Sequence, residues 1–260
     1  MQNSFIVALM LTFTCFVGTT AQADNHAAEK PGVFGTTFLK GWTKNIGAGI
    51  SGSDGTTSEV KVTADAKGEY NHEKHRRKFQ ANLYISKPDS PSESTDRKAF
   101  VEYEENYKPF DNSIYLIGTA RYDYDRLLSA NSRIAPSAGV GMELHDSENL
   151  TIRASIGTGL SHTWDRNGET VPEGVLRGSA DYNVTKGVDF ATTHTFYTNI
   201  DDTDELRVIS NAELKADIGE EGGLTASVGL NNEYDTTAEG RSEDNEKNDL
   251  TYFLRLGYDF

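Results

Sequence analysis

Hydrophobic and polar residues alternate along most of this chain beyond residue 41. The alternation is clearest over residues 60–70, 150–164 and 206–218, where apolar side chains occupy most alternate positions. Successive side chains of a β-strand point to opposite faces, so this period of two predicts strands with one apolar face. An α-helix would scatter the same apolar residues around its circumference.

Turn-forming residues divide the alternating region into about twelve segments. Each segment is long enough for the ~9–11 residues that a tilted membrane strand needs. The predicted strands span residues 42–51, 57–71, 78–86, 96–107, 113–124, 132–144, 150–164, 175–184, 188–200, 206–218, 224–235 and 249–260.

The connections between these segments also alternate in length. Short turns are predicted near residues 72–77, 108–112, 145–149, 185–187 and 219–223, and longer polar loops near 86–95, 165–174 and 236–248. Short turns at one end and long loops at the other are typical of outer-membrane barrels. An even number of strands places both termini at the short-turn end, which we predict to face the periplasm.

The chain ends in an alternating aromatic segment, Leu250–Phe260. The termini of soluble domains usually fray in water, whereas the last strand of a membrane barrel closes the sheet against the first. We therefore predict a transmembrane antiparallel up-and-down β-barrel of about 12 strands over residues 41–260. Gly257, Tyr258 and Phe260 resemble the terminal signal that is read by the barrel-assembly machinery.

Aromatic side chains gather near the predicted strand ends, as a membrane-interface girdle requires. Tyrosine is also common in strands of every kind, so each residue has a second interpretation. The candidates for the girdle are Trp42, Tyr70, Tyr84, Tyr107, Tyr122, Tyr124, Trp164, Tyr234 and Tyr258.

The start of the chain predicts export. Residues 5–18 form an apolar run that is too short to span a bilayer and is typical of a signal peptide, and Ala21-Gln22-Ala23 supplies a small-x-small cleavage site. We predict a cleaved signal peptide over residues 1–23, a periplasmic segment over 24–40, and localisation in the outer membrane of a Gram-negative bacterium. Cys15 is the only cysteine, so the mature chain has no disulfide.

The overall charge narrows the classes of partner. A formal net charge of −15 and a sequence pI near 4.8 argue against nucleic-acid binding, which needs a basic surface, and against simple adsorption to anionic lipid. The mean hydropathy of −0.57 suits a barrel, because only alternate strand residues face lipid. Outer-membrane lipid is the expected surrounding partner.

Residues opposite the apolar face are expected to line the barrel interior. Their charges are of mixed sign and nearly balanced, which fits either ion pairs that fill the barrel or a narrow wetted channel. Twelve strands fall between the filled barrels of eight strands and the open pores of sixteen. The predicted lumen charges are Lys61, Asp65, Lys67, Glu69, Glu102, Glu104, Arg121, Asp123, Arg153, Arg177, Asp181, Asp189, Arg207, Glu213, Lys215, Asp217, Arg255 and Asp259.

Two acidic loops are candidates for cation binding. Asp201, Asp202, Asp204 and Glu205 lie within five residues, and the segment 239–249 is also rich in carboxylates. Calcium prefers clustered oxygen ligands, but the spacing matches no known calcium-binding motif. The loops are therefore either solvated acidic segments or weak sites that recruit divalent cations to lipid headgroups, and we predict no defined metal site and no cofactor.

The residues give little support for an enzyme. The chain has no nucleophile motif, no phosphate-binding glycine loop and no metal signature. His72 and His75 are predicted to point to opposite faces, His162 cannot pair with the adjacent Ser161, and His194 falls on the lipid face in mid-strand. We expect a non-enzymatic protein, with an outer-membrane hydrolase as the alternative.

Several segments resemble a known family. Residues 47–76, ARYDYDRL (120–127), SAGVGMEL (137–144) and LGYDF (256–260) are similar to strands of the salt-induced outer-membrane protein family, domain of unknown function 481. The resemblance covers nearly the whole mature chain and implies an outer-membrane barrel. It implies no catalytic residues, and it links the chain to salt or osmotic stress only through the family.

Overall fold

The computed structural model describes residues 41–54, 60–86, 97–125, 132–164, 168–219, 223–237 and 247–260. The predicted signal peptide (1–23) and periplasmic segment (24–40) lie outside these described residues, as do most of the predicted loops 86–95 and 236–248. No helix among the described residues is long and apolar enough to cross a membrane. Gly41–Phe260 forms one compact unit.

The described residues form twelve β-strands. They are β1 (Trp42–Asp54), β2 (Val60–His72), β3 (His75–Ser86), β4 (Arg97–Tyr107), β5 (Ile114–Asp125), β6 (Ser132–Asp146), β7 (Leu150–Trp164), β8 (Glu169–Thr185), β9 (Val188–Asn199), β10 (Leu206–Asp217), β11 (Leu224–Asp235) and β12 (Asn248–Asp259).

Each strand pairs antiparallel with its neighbours in sequence, and β12 returns to β1 to close the barrel. The closing register pairs Asn45 with Asp259 and Asp54 with Leu250. The prediction of a twelve-stranded antiparallel barrel is therefore confirmed, including closure by the last strand. We call the end where β1 begins and β12 ends, which also carries the short connections, the turn end, and the opposite end the loop end.

Two predicted connections are wrong in extent. The turn predicted over residues 72–77 contains only two residues, because β2 continues to His72 and β3 begins at His75. The loop predicted over 165–174 is strand from Glu169 onward, since β7 continues to pair with residues Glu169 to Gly174. Pro172 and Gly174, which usually mark turns, are accommodated within this strand.

The distribution of apolar and polar side chains over the two faces of the sheet is the reverse of that in a soluble protein. Outward side chains are apolar and accessible, as at Ile156 (65% exposed) and Leu256 (58%). Inward side chains are polar and covered, as at Thr63 (1%) and Arg255 (3%). Lipid tails would cover the first set, so the accessible apolar band is the membrane-facing surface.

Inward glycines mark the positions where neighbouring strands approach most closely. A Cβ atom on Gly139 would lie 2.3 Å from the carbonyl oxygen of Ile156, and one on Gly49 would lie 2.0 Å from that of Leu254. Only glycine fits at such positions, so the sheet can bend sharply between β6 and β7 and between β1 and β12. These two positions are opposite each other in strand order, and we call strands β2–β5 the first wall and strands β8–β12 the second wall.

Candidate functional site in the barrel lumen

The middle of the lumen is crossed by a half-buried arginine. Arg177 of β8 lies 2.8 Å from a carboxylate oxygen of Glu102 and 2.9 Å from one of Glu104, both on β4. Arg121 of β5 reaches the same Glu102 at 3.0 Å. Since β4 and β8 belong to different walls, this central cluster joins the two walls directly.

A second set of ion pairs lies toward the turn end. Asp181 of β8 lies 2.8 Å from Arg76 and 3.5 Å from Lys78, both on β3. Arg153 of the neighbouring β7 approaches the same carboxylate at 3.1 Å. Three cations from both sides of the lumen therefore meet at one aspartate.

A third set lies toward the loop end. Arg207 of β10 contacts Asp123 of β5 at 3.2 Å and Glu233 of β11 at 2.7 Å. Lys98 of β4 contacts Asp249 of β12 at 2.6 Å. The walls are thus linked by ion pairs at three heights along the barrel.

These links require a flattened cross-section. Twelve strands spaced ~4.8 Å apart and tilted by ~40° would form a circular barrel roughly 24 Å in diameter. A hydrogen-bonded arginine and aspartate bridge at most about 14 Å between their Cα atoms. Arg207 and Asp123 lie five strands apart around the barrel, so they can meet only if the walls approach each other. The glycine bends at β6–β7 and β1–β12 permit this approach.

A further cluster joins β12, β2 and β3. Arg255 lies 3.4 Å from Asp65, an ion pair that lacks hydrogen-bond geometry, and stacks over Phe253 at 3.6 Å. The Tyr84 hydroxyl accepts hydrogen bonds from Asn231 (2.7 Å) and Arg255 (3.3 Å). Tyr84 was predicted to lie in the interfacial girdle, and that prediction is wrong because its side chain is 8% exposed and points into the lumen.

Several of the predicted lumen charges are covered or form ion pairs with other charged side chains. Lys61 is 4% exposed. Lys67 and Glu213 form an ion pair between β2 and β10, and Lys215 contacts Asp259 at 3.0 Å. Glu69 contacts Arg76 at 3.0 Å, and Asp123 also contacts Arg121 at 2.8 Å.

Sequence reasoning missed several members of this network. Arg76 was assigned to a turn and Glu173 to a loop, so neither was tested for strand alternation. Arg133 and Glu173 form an ion pair in the structure, and Ser161 donates to the same carboxylate at 3.0 Å. Arg76 and Glu173 keep the inward parity of their neighbours. Strand predictions extended to these two residues would therefore have assigned both to the lumen.

A small cavity lies beside the central cluster. A cavity of about 10 Å³ lies against the inner side of β5–β9, lined by residues that include Thr119, Ser137, Ser155, Arg177 and Thr195. A volume of this size holds about one water molecule. A larger cavity of about 380 Å³ opens at the turn end beside Lys74, Lys108 and Phe110.

His72, His75, His162 and His194 fall on the outer face. The prediction that His72 and His75 point to opposite faces is wrong, because they are cross-strand partners on β2 and β3. His162 contacts the Thr170 hydroxyl at 2.8 Å. His194 Nδ1 lies 2.9 Å from the Ser210 hydroxyl and its Nε2 lies 3.2 Å from the Thr192 hydroxyl. The serine–histidine contact was invisible in the sequence because it depends on the register between β9 and β10.

The acidic loop over residues 200–205 uses its carboxylates internally. Glu205 accepts a hydrogen bond from the Asn199 side chain at 2.7 Å, and Asp202 accepts one from the backbone of Asp204 at 3.2 Å. In the part of the chain that the structure describes, no group of histidine, cysteine, aspartate or glutamate is arranged to hold a metal ion. Recruitment of divalent cations stays a prediction, and residues 239–246 lie outside the described part.

The proposed assembly signal occupies the end of β12. Tyr258 (50% exposed) and Phe260 (42%) face outward, whereas a Cβ atom on Gly257 would lie 2.8 Å from the Thr225 hydroxyl. The backbone of Phe260 exchanges two hydrogen bonds with Lys44 of β1, at 2.9 and 3.3 Å. These residues are part of the closing seam, and their recognition by the assembly machinery stays a prediction.

Comparison with known proteins places the fold among outer-membrane barrels. The NanC porin has a TM-score of 0.51 and 11% identity, over 82% of this chain and 98% of that one. Two other porins are more distant. The KdgM porin in complex with disordered oligogalacturonate has a TM-score of 0.47 and 10% identity, over 83% of this chain and 99% of that one. An anion-selective porin from Comamonas acidovorans has a TM-score of 0.43 and 6% identity, over 84% of this chain and 98% of that one. No curated protein sequence matches the chain. Residues 46–260 match the family described as "Protein of unknown function, DUF481".

Proposed function

We propose that this chain, which belongs to the DUF481 family of proteins of unknown function, is an outer-membrane barrel with a lumen closed by ion pairs between its walls. Its role is structural or stress-related within the envelope, and it does not act as an open pore. The observation that carries this proposal is the contact of Arg177 with Glu102 and Glu104 across the lumen.

The energetics of buried charges support a persistent closure. Arg177 and Glu102 have side chains that are each 15% exposed, and Glu104 is 9% exposed. Separating one member from such a group leaves an uncompensated buried charge, at a cost of about 3–5 kcal/mol. An ion that passes between the walls would have to separate several of these pairs, so the network opposes conduction.

Planar-bilayer recording tests the closed lumen. We expect the purified mature protein to insert without unitary current steps, and the double variant E102A/E104A to produce them, because it removes both carboxylates that hold Arg177. E105A is the matched control, since Glu105 lies on the outer face of the same strand. Unitary steps from the wild-type protein would instead support a narrow channel for ions or small solutes.

One observation favours a second candidate, an outer-membrane hydrolase. Ser210 and His194 lie within hydrogen-bond distance on the lipid-facing surface, and Thr192 contacts the other ring nitrogen. A nucleophile, a base and an orienting group are the elements of nucleophilic catalysis. His194 is near the middle of β9, however, which is far from the ester groups of membrane lipids.

A phospholipase assay in mixed micelles distinguishes this candidate from the closed barrel. The closed-barrel proposal expects no release of fatty acid above that of an S210A variant. Release that disappears in S210A and H194A, but persists in a T170A control, would establish the hydrolase.

We also propose that the turn end faces the periplasm and that the end of β12 is recognised during assembly. The support is the even strand count, with both barrel ends of the chain at the turn end, together with the outward Tyr258 and Phe260. Protease protection in intact cells tests the orientation. A cleavage site inserted between Ser90 and Pro91 should be cut from outside, whereas one inserted at Lys186 should be protected.

A further inference from the structure

A row of polar and aromatic side chains crosses the outer face near the turn end. Trp42, Tyr70, Arg77 and Glu105 are partners in register across four neighbouring strands, β1 to β4. They share a face with the exposed residue Ile46 (45%). We call these four residues, with Lys44, the outer row.

The outer row lies at the depth of the membrane interface. Arg77 is the third residue of β3, and Glu105 is the third from the end of β4. A lipid-facing arginine costs about 2–4 kcal/mol at the bilayer midplane but only about 0–1 kcal/mol near the interface. Trp42 and Tyr70 belong to the residue types that concentrate at headgroup level. Charged groups in this row are therefore positioned beside lipid headgroups.

Both carboxylate oxygens of Glu105 contact neighbouring side chains. One of its oxygens accepts a hydrogen bond from Arg77 Nε at 3.0 Å and contacts His75 Nδ1 at 3.1 Å. The other oxygen accepts from the Tyr103 hydroxyl at 3.3 Å. The guanidinium of Arg77 also lies 5.6 Å from the centre of the Tyr70 ring. These contacts orient Arg77 and place both carboxylate oxygens of Glu105 against neighbouring donors.

Two cations of the outer row keep unused donors. The terminal amino groups of Arg77 have no hydrogen-bond partner among the described residues, and its side chain is 26% exposed. Lys44 has no carboxylate partner within the described ranges, and its amino group lies 5.2 Å from the centre of the Phe260 ring. Both cations thus present donors toward the lipid side of the barrel, despite the acidic net charge of the chain.

We propose that the outer row binds the phosphate of a phospholipid headgroup. The two terminal amino groups of Arg77 match two phosphate oxygens in the bidentate geometry that guanidinium groups prefer. Lys44, whose amino group lies over the Phe260 ring at the end of β12, adds positive charge to the surrounding surface. The apolar face that continues from Ile46 would contact the acyl chains. Because the turn end is proposed to face the periplasm, the ligand is a phospholipid of the periplasmic leaflet.

Native mass spectrometry of the mature protein in detergent micelles tests the site. Dioleoyl phosphatidylglycerol is the probe, and dioleoylglycerol, which lacks the phosphate, is the lipid control. We expect the wild-type protein to retain the phospholipid and not the diacylglycerol. The double variant R77Q/K44Q should bind the phospholipid roughly tenfold more weakly, since it loses charge-assisted hydrogen bonds to the phosphate.

R97Q is the matched protein control. Arg97 pairs with Ile85 on the outer face at the opposite end of β4, so its loss should leave phospholipid retention unchanged. Heat-modifiable gel mobility verifies that each variant is folded. If R77Q/K44Q does not fold, R77K replaces it, and we expect several-fold weaker binding because lysine keeps the charge but loses the bidentate geometry.

Three results would overturn the proposal. They are equal retention of both lipids by the wild-type protein, equal affinity in R77Q/K44Q and wild type, and an equal loss in R97Q. Failure to retain phospholipid, combined with capture of an acidic soluble protein at Arg77, would identify a protein-docking surface instead. None of these results depends on conductance, so they do not test the closed-lumen proposal. Planar-bilayer recording tests that proposal separately.

Discussion

Two arginine–glutamate clusters occupy opposite faces of the same sheet. Inside, Arg177 is held by Glu102 and Glu104 from the facing wall. Outside, Arg77 donates through Nε to the carboxylate of Glu105 on the adjacent strand, and both of its terminal amino groups stay unused among the described residues. In our proposals the same chemical pair closes the lumen where it crosses the barrel, and forms part of a binding surface where it lies along the sheet.

The largest effect, on membrane insertion, is expected for a deletion that removes outward and inward residues together. Deletion of Tyr258–Phe260 removes two outward aromatic residues and the inward Asp259, which contacts Lys215 and Asn45. We expect membrane insertion to be abolished, because the closing seam with β1 loses its end. Heat-modifiable mobility of isolated outer membranes measures this outcome, and normal assembly of the truncated chain would refute the assigned signal.

Removal of the inner carboxylates should be the most destabilising change that still allows assembly. E102A/E104A leaves Arg177 buried without its partners, and we expect a loss of about 3–5 kcal/mol in the free energy of unfolding. The outer control E105A should cost less than about 1 kcal/mol, because its ion pair is partly solvated. Urea unfolding in phospholipid vesicles, followed by tryptophan fluorescence, measures both. Equal losses of unfolding free energy in E102A/E104A and E105A would contradict the expected difference in stability between the inner and outer clusters.

Glycines on the two faces should also differ. G139A places a Cβ atom 2.3 Å from a backbone oxygen at the β6–β7 bend, so we expect a destabilisation of about 1–3 kcal/mol. G178A is the matched change on the outer face, where no heavy atom lies within 4 Å of the added carbon. The same unfolding assay should find G178A close to wild type, and a tolerated G139A would contradict the role of the bend.

The smallest expected effect concerns two tyrosine hydroxyls. Y84F removes an acceptor that serves Asn231 and Arg255 in the lumen, at an expected cost of about 1 kcal/mol. Y70F removes a hydroxyl on the outer row, and we expect no measurable change in unfolding. A larger effect for Y70F than for Y84F would reverse the inner and outer assignment of the two residues.

Much of the fold could be predicted from the sequence, because strand alternation is a local property. Parity alone assigned Arg177, Glu102 and Glu104 to one face, and the chain end indicated closure. Which of these charges meet could not be predicted, since that depends on the register of distant strands and on the glycine bends. Tyr84 was misplaced for a related reason, because a tyrosine near a strand end suits either a girdle or a lumen. The Ser210–His194 contact likewise requires the β9–β10 register.

The flattened cross-section that the ion pairs imply can be measured as the distance between the two walls. Spin labels at Val101 and Leu176, the outward neighbours of Glu102 and Arg177, report the separation of β4 and β8 by pulsed electron resonance. The Cα separation across four strands would be roughly 21 Å in a circular barrel, whereas an arginine–glutamate bridge permits at most about 15 Å. We expect a distance at least about 5 Å shorter than the circular value in the wild-type protein, and a longer distance in E102A/E104A. A distance equal to the circular value in the wild-type protein would contradict the flattened cross-section.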